Sequence, residues 1–122
     1  VQSTLDFEAM NLAASYLLGL QDFKCFSRSN TDVKTFNCHV FEAYWTQESD
    51  LWVFTITADR FLRNMVRAVV GTLILVGKHK IVPEAVKDII KSKSRSQAGA
   101  SVPAKGLYLN EIIYPQSVFI DG

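Results

Sequence analysis

The residues best suited to chemistry lie in one run, Phe61-Leu62-Arg63-Asn64-Met65-Val66-Arg67-Ala68-Val69-Val70-Gly71-Thr72. On a helix, Arg60, Asn64, Arg67, Gly71, Ile74 and Lys78 recur at alternating fours and threes and form one stripe. Arg67 stands among Val66, Ala68, Val69 and Val70, a lone charge in apolar surroundings. A guanidinium held there needs an anionic partner, because an unpaired buried charge costs several kcal/mol. Gly71, one turn on, leaves room for another backbone or a ligand to come close. The pattern alone equally allows a surface arginine on an amphipathic helix.

Other constellations carry less. Cys38-His39 has no second ligand pair at metal-binding spacing, so no metal site is expected. Adjacent residues on a strand face opposite ways, which also argues against a Cys–His nucleophile. His79 falls in a turn and is expected to be solvated, and Ser101 lacks a nucleophile-elbow context. Phosphate-cradling loops of the Walker or Rossmann type are absent. Of the aromatics Phe23, Phe26, Phe36, Trp45 and Trp52, most should be core. Phe26, in a loop and followed by Ser27 and Arg28, is the candidate for stacking on a base.

The charge balance is nearly neutral, a formal +1. Its distribution is not even. Lys78, Lys80, Lys87, Lys91, Lys93, Arg95 and Lys105 crowd the last third, against Glu84, Asp88 and Glu111. Such a run is ordinarily a solvated face; its other reading is a surface for phosphate.

These residues need a scaffold. Asp6 reads as the N-cap of a helix whose apolar face is Met10, Ala13, Ala14 and Leu17, stopped by Gly19. Gln21–Val33 reads as irregular, Lys34–Trp45 as a strand, Thr46–Asp50 as a hairpin loop, and Leu51–Ala58 as the returning strand with Trp52, Phe54, Ile56 and Ala58 on one face. A long helix is expected over Phe61–Val76, with Phe61, Met65, Val69, Leu73 and Val76 as its core stripe. Pro83 opens a short helix ending near Lys91. Lys91–Lys105, rich in Ser, Lys and small residues, reads as a mobile loop, and Leu107–Tyr114 as a last strand closed by Pro115.

That order matches a ferredoxin-like β-α-β-β-α-β motif lacking its first strand, an α+β fold with helices on one face of an antiparallel sheet. A three-stranded sheet is the alternative, and it leaves an exposed edge. At 122 residues, 48% hydrophobic and 20% charged, the chain is one globular domain. It starts mid-pattern without Met, which suggests a piece of a longer chain. Two cysteines fit a reducing cytoplasm. The longest apolar stretch, around Val66–Val76, is interrupted by Arg67 and Gly71 and is too short to span a bilayer.

Three blocks together resemble the TruA family of tRNA pseudouridine synthases. They are Leu5-Asp6 through Leu17 with Gly19, Asp22-Phe23 and Phe26; Phe61 through Arg67 with Val70-Gly71-Thr72-Leu73 and Val76-Gly77; and Gly106-Leu107-Tyr108-Leu109 with Tyr114-Pro115. The resemblance covers essentially the whole chain as the C-terminal half of such an enzyme. It implies isomerisation of uridine to pseudouridine in the tRNA anticodon stem-loop, without cofactor or metal, in a cleft between two similar halves. The target base must be flipped out, because the reacting bond is inaccessible within a helix.

The family's catalytic aspartate, in a Gly-Arg-Thr-Asp type motif, and its active-site tyrosine have no counterpart in this sequence. Asp59 matches a variable position instead. The resemblance assigns Arg67 to pair with the absent aspartate and Leu107 to line the pocket against the uracil. It makes Phe26, Arg28, Arg60, Arg63, Lys78, Lys91, Lys93, Arg95 and Lys105 the candidates for holding RNA. Partners implied are tRNA, the N-terminal half and a second copy in a homodimer, with no membrane. The chain alone is then expected to be inactive. A non-catalytic α+β domain that binds RNA or assembles with another chain is the other reading; a strand Leu51–Ala58 without the RNP1 pattern argues against an RNA-recognition motif.

Overall fold

The computed structural model describes residues 5–28, 35–48, 51–102, 107–111 and 116–121. Helix α1 is Phe7–Ser15, and the Asp6 carboxylate accepts from Ala9 N at 3.0 Å, the expected N-cap. Met10, Ala13, Ala14 and Leu17 are buried as their spacing requires. Gly19, at φ 100, ends this unit and opens strand β1, Gly19–Asp22, whose last two residues the composition marks as irregular. Strands β2 (Asn37–Glu48) and β3 (Leu51–Ala58) form a hairpin. β2 therefore runs beyond the expected hairpin loop at Thr46.

A β-bulge explains why simple alternation fails along β2. Val40 pairs with Ala58 but Glu42 with Thr57, so Phe41 is the extra residue. Cys38 and Val40 point into the core before the bulge, and Ala43 and Trp45 after it, while Phe41 is left exposed. Phe54, Ile56 and Ala58 of β3 face the same core. Trp52 lies flat against Phe7 of α1, ring centroids 3.4 Å apart.

Helix α2 is Met65–Gly77 and helix α3 is Ala85–Ser92. α2 starts one turn later than its apolar stripe suggested, since Asn64 takes a left-handed φ of 66 and cannot be helical. Met65, Val69, Leu73 and Val76 are buried, with Phe61 packed at the margin of the core. Strands β4 (Leu107–Glu111) and β5 (Gln116–Asp121) complete an antiparallel sheet in the order β1-β2-β3-β5-β4. β4 is the described part of the expected last strand, whose residues 112–114 lie outside the described residues, and β5 is a strand that the sequence pattern does not announce. β5 pairs with β3 from Leu51–Asp121 to Ile56–Gln116. β3 is thus flanked on its second side by this chain's own C-terminal segment. The fold class is α+β, with helices packed against an antiparallel sheet.

One contact fixes α1 to the sheet. β1 accompanies β2 only as far as Val40, so among the described residues no strand lies beside the outward backbone of β2 beyond the bulge. The Asn11 amide takes that place at Trp45, accepting from its N at 2.6 Å and donating to its O at 3.3 Å. At the far end of α1, Asp6 N donates to Gly77 O, and the Asp6 carboxylate meets His79 Nε2 at 2.8 Å. No described helix is long and apolar enough to cross a membrane.

Candidate active site

The start of α2 and the segment 98–102 form one closely packed unit. Gly71 and Gly99 make the approach possible: a methyl on Gly71 would overlap the Ala100 carbonyl oxygen, and one on Gly99 would sit 3.0 Å from Thr72 Cα. Bonds then fasten the segment. The Thr72 hydroxyl accepts from Gly99 N at 2.8 Å and donates to Ala68 O at 2.9 Å, so this buried group is satisfied on both sides. The Asn64 amide donates to Ser101 Oγ. The described part of the expected mobile loop is thus fixed: its first residues end α3, Arg95–Gln97 is a 3-10 turn, and 98–102 is pinned to α2, while 103–105 lie outside the described residues. Small residues that read as loop are what allow the contact.

Arg67 lies at the centre of this unit, half-buried in the first turn of α2. It exchanges two hydrogen bonds with Val102: Arg67 Nε donates to Val102 O at 2.8 Å, and Val102 N donates to Arg67 O at 3.2 Å. Its two terminal nitrogens have no acceptor among the described residues. A guanidinium held by its Nε presents a pre-aimed pair of donors, the geometry that grips a carboxylate in two places. Leu107 is the first residue of β4, five positions beyond Val102, and its Cα pairs with Ile120.

The remaining candidates divide. Arg28 and Arg63 are brought together, Arg28 N donating to Arg63 O at 3.0 Å, and both side chains are exposed beside the start of α2. Lys78 is exposed at the opposite end of α2, about 16 Å along the axis from Arg67. Lys91 and Lys93 are exposed at the end of α3, where Lys91 borders a shallow cleft with Lys87, Tyr16 and Gln21. Lys105 lies outside the described residues.

One assignment needs correction, and two further cations are engaged within the chain. Phe26 is only 1% exposed and packs with Phe23, ring centroids 6.3 Å apart, so it is core and cannot stack on a base. Arg60 is not on α2 at all; its Nη1 donates to Thr35 O at 2.9 Å and Asn37 O at 3.2 Å, bracing the start of β2. Arg95 turns one N–H of each terminal nitrogen inward, to Gly99 O and Ser101 Oγ, each at 2.9 Å. Sequence reasoning missed the Asn64–Ser101 and Thr72–Gly99 bonds. Their only trace is the pairing of a glycine on α2 with a Gly-Ala-Ser run 28 residues later.

Cys38 faces the core beside Met65, while His39 is exposed and stacked on Phe41, so the pair does not act as one nucleophilic unit. Burial pushes the Cys38 thiol up to about 11 and Cys25 up to about 12, with the charge of Asp22 adding to the latter. No cluster of three metal-ligating side chains occurs among the described residues.

A family model described as tRNA pseudouridine synthase matches residues 13–115. The chain belongs to this family. It is 54% identical over 115 residues to tRNA pseudouridine synthase A of Parabacteroides distasonis, covering 94% of this chain and 46% of that protein. It is 53% identical over 118 residues to tRNA pseudouridine synthase A of Porphyromonas gingivalis, covering 95% and 47%. The protein of that name from Clostridium acetobutylicum is 43% identical over 110 residues, 90% of this chain and 45% of the relative. The chain thus spans about half the length of the curated relatives it matches. The match takes in the start of α2, the 98–102 segment and β4 together.

Proposed function

We propose that this chain is the C-terminal half of a cytoplasmic tRNA pseudouridine synthase that isomerises uridine to pseudouridine in the anticodon stem-loop, without metal or cofactor. The observation that carries the reading is the half-buried Arg67, fixed through Nε and without a described partner at its terminal nitrogens. In this reading those nitrogens hold the catalytic carboxylate, which the N-terminal half supplies. The carboxylate must stay ionised and correctly aimed while the flipped uracil is detached, turned and rejoined through carbon. A planar guanidinium in an apolar wall does both. Leu107 lines the pocket against the base. Arg28, Arg63, Lys78, Lys91, Lys93 and Lys105 hold phosphate around it, and the full-length enzyme works as a homodimer.

The test uses the full-length enzyme and two curves per variant: single-turnover rate against enzyme concentration, and tRNA affinity against salt. Arg67→Ala strands the carboxylate, roughly 3 kcal/mol or about 100-fold in the saturated rate, with affinity nearly intact. Replacing Lys78, Lys91 and Lys93 together weakens binding and flattens its salt dependence, with little change at saturation. The 122-residue chain alone releases no tritium from labelled tRNA. An Arg67→Ala enzyme that keeps its saturated rate but loses affinity makes Arg67 a phosphate ligand and overturns the reading.

A further inference from the structure

We propose that Arg95 is the positioning residue of this site, setting where the Arg67 guanidinium points. Its catalytic consequence rests on the function proposed above; the geometry does not. Arg95 sits in the 3-10 turn Arg95–Gln97, which packs against the Lys24–Phe26 turn and so against buried Cys25 and Phe26. From that anchorage its fork reaches two acceptors at once, Gly99 O through Nη1 and Ser101 Oγ through Nη2. The Ser101 oxygen also accepts from the Asn64 amide, so donors approach it from the 3-10 turn and from the start of α2. A hydroxyl oxygen has two acceptor lone pairs, and both are used. The next residue, Val102, takes both the Nε–H and the carbonyl of Arg67.

Force therefore passes from the core through Arg95 and Ser101 to Val102, and ends on the one nitrogen that orients the guanidinium. Asn64 can join only because of its left-handed φ of 66, a conformation asparagine tolerates better than most residues. Each terminal nitrogen of Arg95 spends one of its two N–H groups on the segment, so a phosphate would have to share the fork with Gly99 O and Ser101 Oγ. Lysine is no replacement, since a point charge cannot span a carbonyl and a hydroxyl two residues apart in one plane.

The experiment has two arms. In the full chain labelled with nitrogen-15, exchange of the Arg67 Nε proton with water is expected to speed up on the order of 10-fold in Arg95→Lys and in Ser101→Ala, and to return towards wild type in Ser101→Thr, which keeps the hydroxyl. In the full-length enzyme, Arg95→Lys should lower the saturated single-turnover rate on the order of 10- to 100-fold, as small misplacements of a catalytic group do, with tRNA affinity changed less than about 3-fold. In an Arg67→Lys background the same substitution should add little, because the two act through one geometry. An unaltered Arg67 Nε proton in both Arg95→Lys and Ser101→Ala overturns the proposal. So does weakened binding with a flatter salt dependence and an intact saturated rate, which makes Arg95 a phosphate ligand. So do fully additive losses in the double variant. If Arg67→Ala itself leaves the rate intact, the proposed function fails, and the proton-exchange arm still decides the role of Arg95.

Discussion

Replacing Gly71 by Ala tests the packing of the candidate site more directly than any charge change. On an exposed helix the substitution should stabilise by about 1 kcal/mol, because alanine restricts the unfolded chain and favours helix. Here the new methyl meets backbone: it overlaps the Ala100 carbonyl oxygen and lies 3.0 Å from Ala100 C. A carbonyl cannot rotate away as a side chain can, so the segment 98–102 must lift. Four bonds go with it: Gly99 N to Thr72, Asn64 to Ser101, and the two between Arg67 and Val102. At a net of about 1 kcal/mol each they total about 4 kcal/mol, leaving the variant about 3 kcal/mol less stable after the helix gain. With a urea m-value near 1.5 kcal/mol/M, the equilibrium unfolding midpoint should fall by about 2 M. Gly77→Ala is the control. Its methyl would meet the Met10 sulfur at 2.5 Å, but that flexible thioether can move aside, so the loss should be smaller. A Gly71→Ala chain as stable as the wild type would refute the close approach of α2 and the 98–102 segment.

Two further outcomes follow from titratable groups. His79 and the Ala9 amide hold the Asp6 carboxyl below the usual carboxylate range. A depressed folded value contributes stability that is complete above the ordinary Asp range and is lost as pH falls through the lowered value. Asp6→Asn keeps an N-cap acceptor but removes the charge, so the midpoints of variant and wild type should converge below about pH 4. A constant gap between the two curves down to pH 2 would rule this linkage out. Cys25 and Cys38, buried and pushed up to about 12 and 11, should resist a thiol-reactive dye at pH 8 until urea unfolds the chain. Rapid labelling of the native protein would contradict the core placement of both.

Local chemistry made some of this legible in the sequence and left the rest hidden. The α1 cap and buried face follow from Asp6 and the spacing of Met10 to Leu17, and the β2–β3 hairpin from its β-branched and aromatic runs. Arg67 could be singled out because a charge among valines is conspicuous wherever the helix begins. What failed depended on contacts distant in sequence. The late start of α2 rests on Asn64 bonding to Ser101, 37 residues away. Phe26 looked available because its neighbours are polar, but the 3-10 turn folds it inward. Arg95 looked like one more surface cation because its acceptors, a carbonyl and a serine, leave no pattern. β1 and β5 are short strands whose pairing partners supply what their own composition does not.

The Asn11 amide on Trp45 has a consequence for strand addition by a neighbouring chain. Half of β2 is an edge, and a bare edge of backbone donors and acceptors invites a strand from a neighbouring chain. The amide mimics one rung of a ladder and then stops, because a side chain offers no second rung. It closes the edge where closure matters, beside the apolar Trp45, without extending the sheet. Asn11→Ala would thus expose a template for strand addition, and its damage should grow with protein concentration rather than appear only as lost stability.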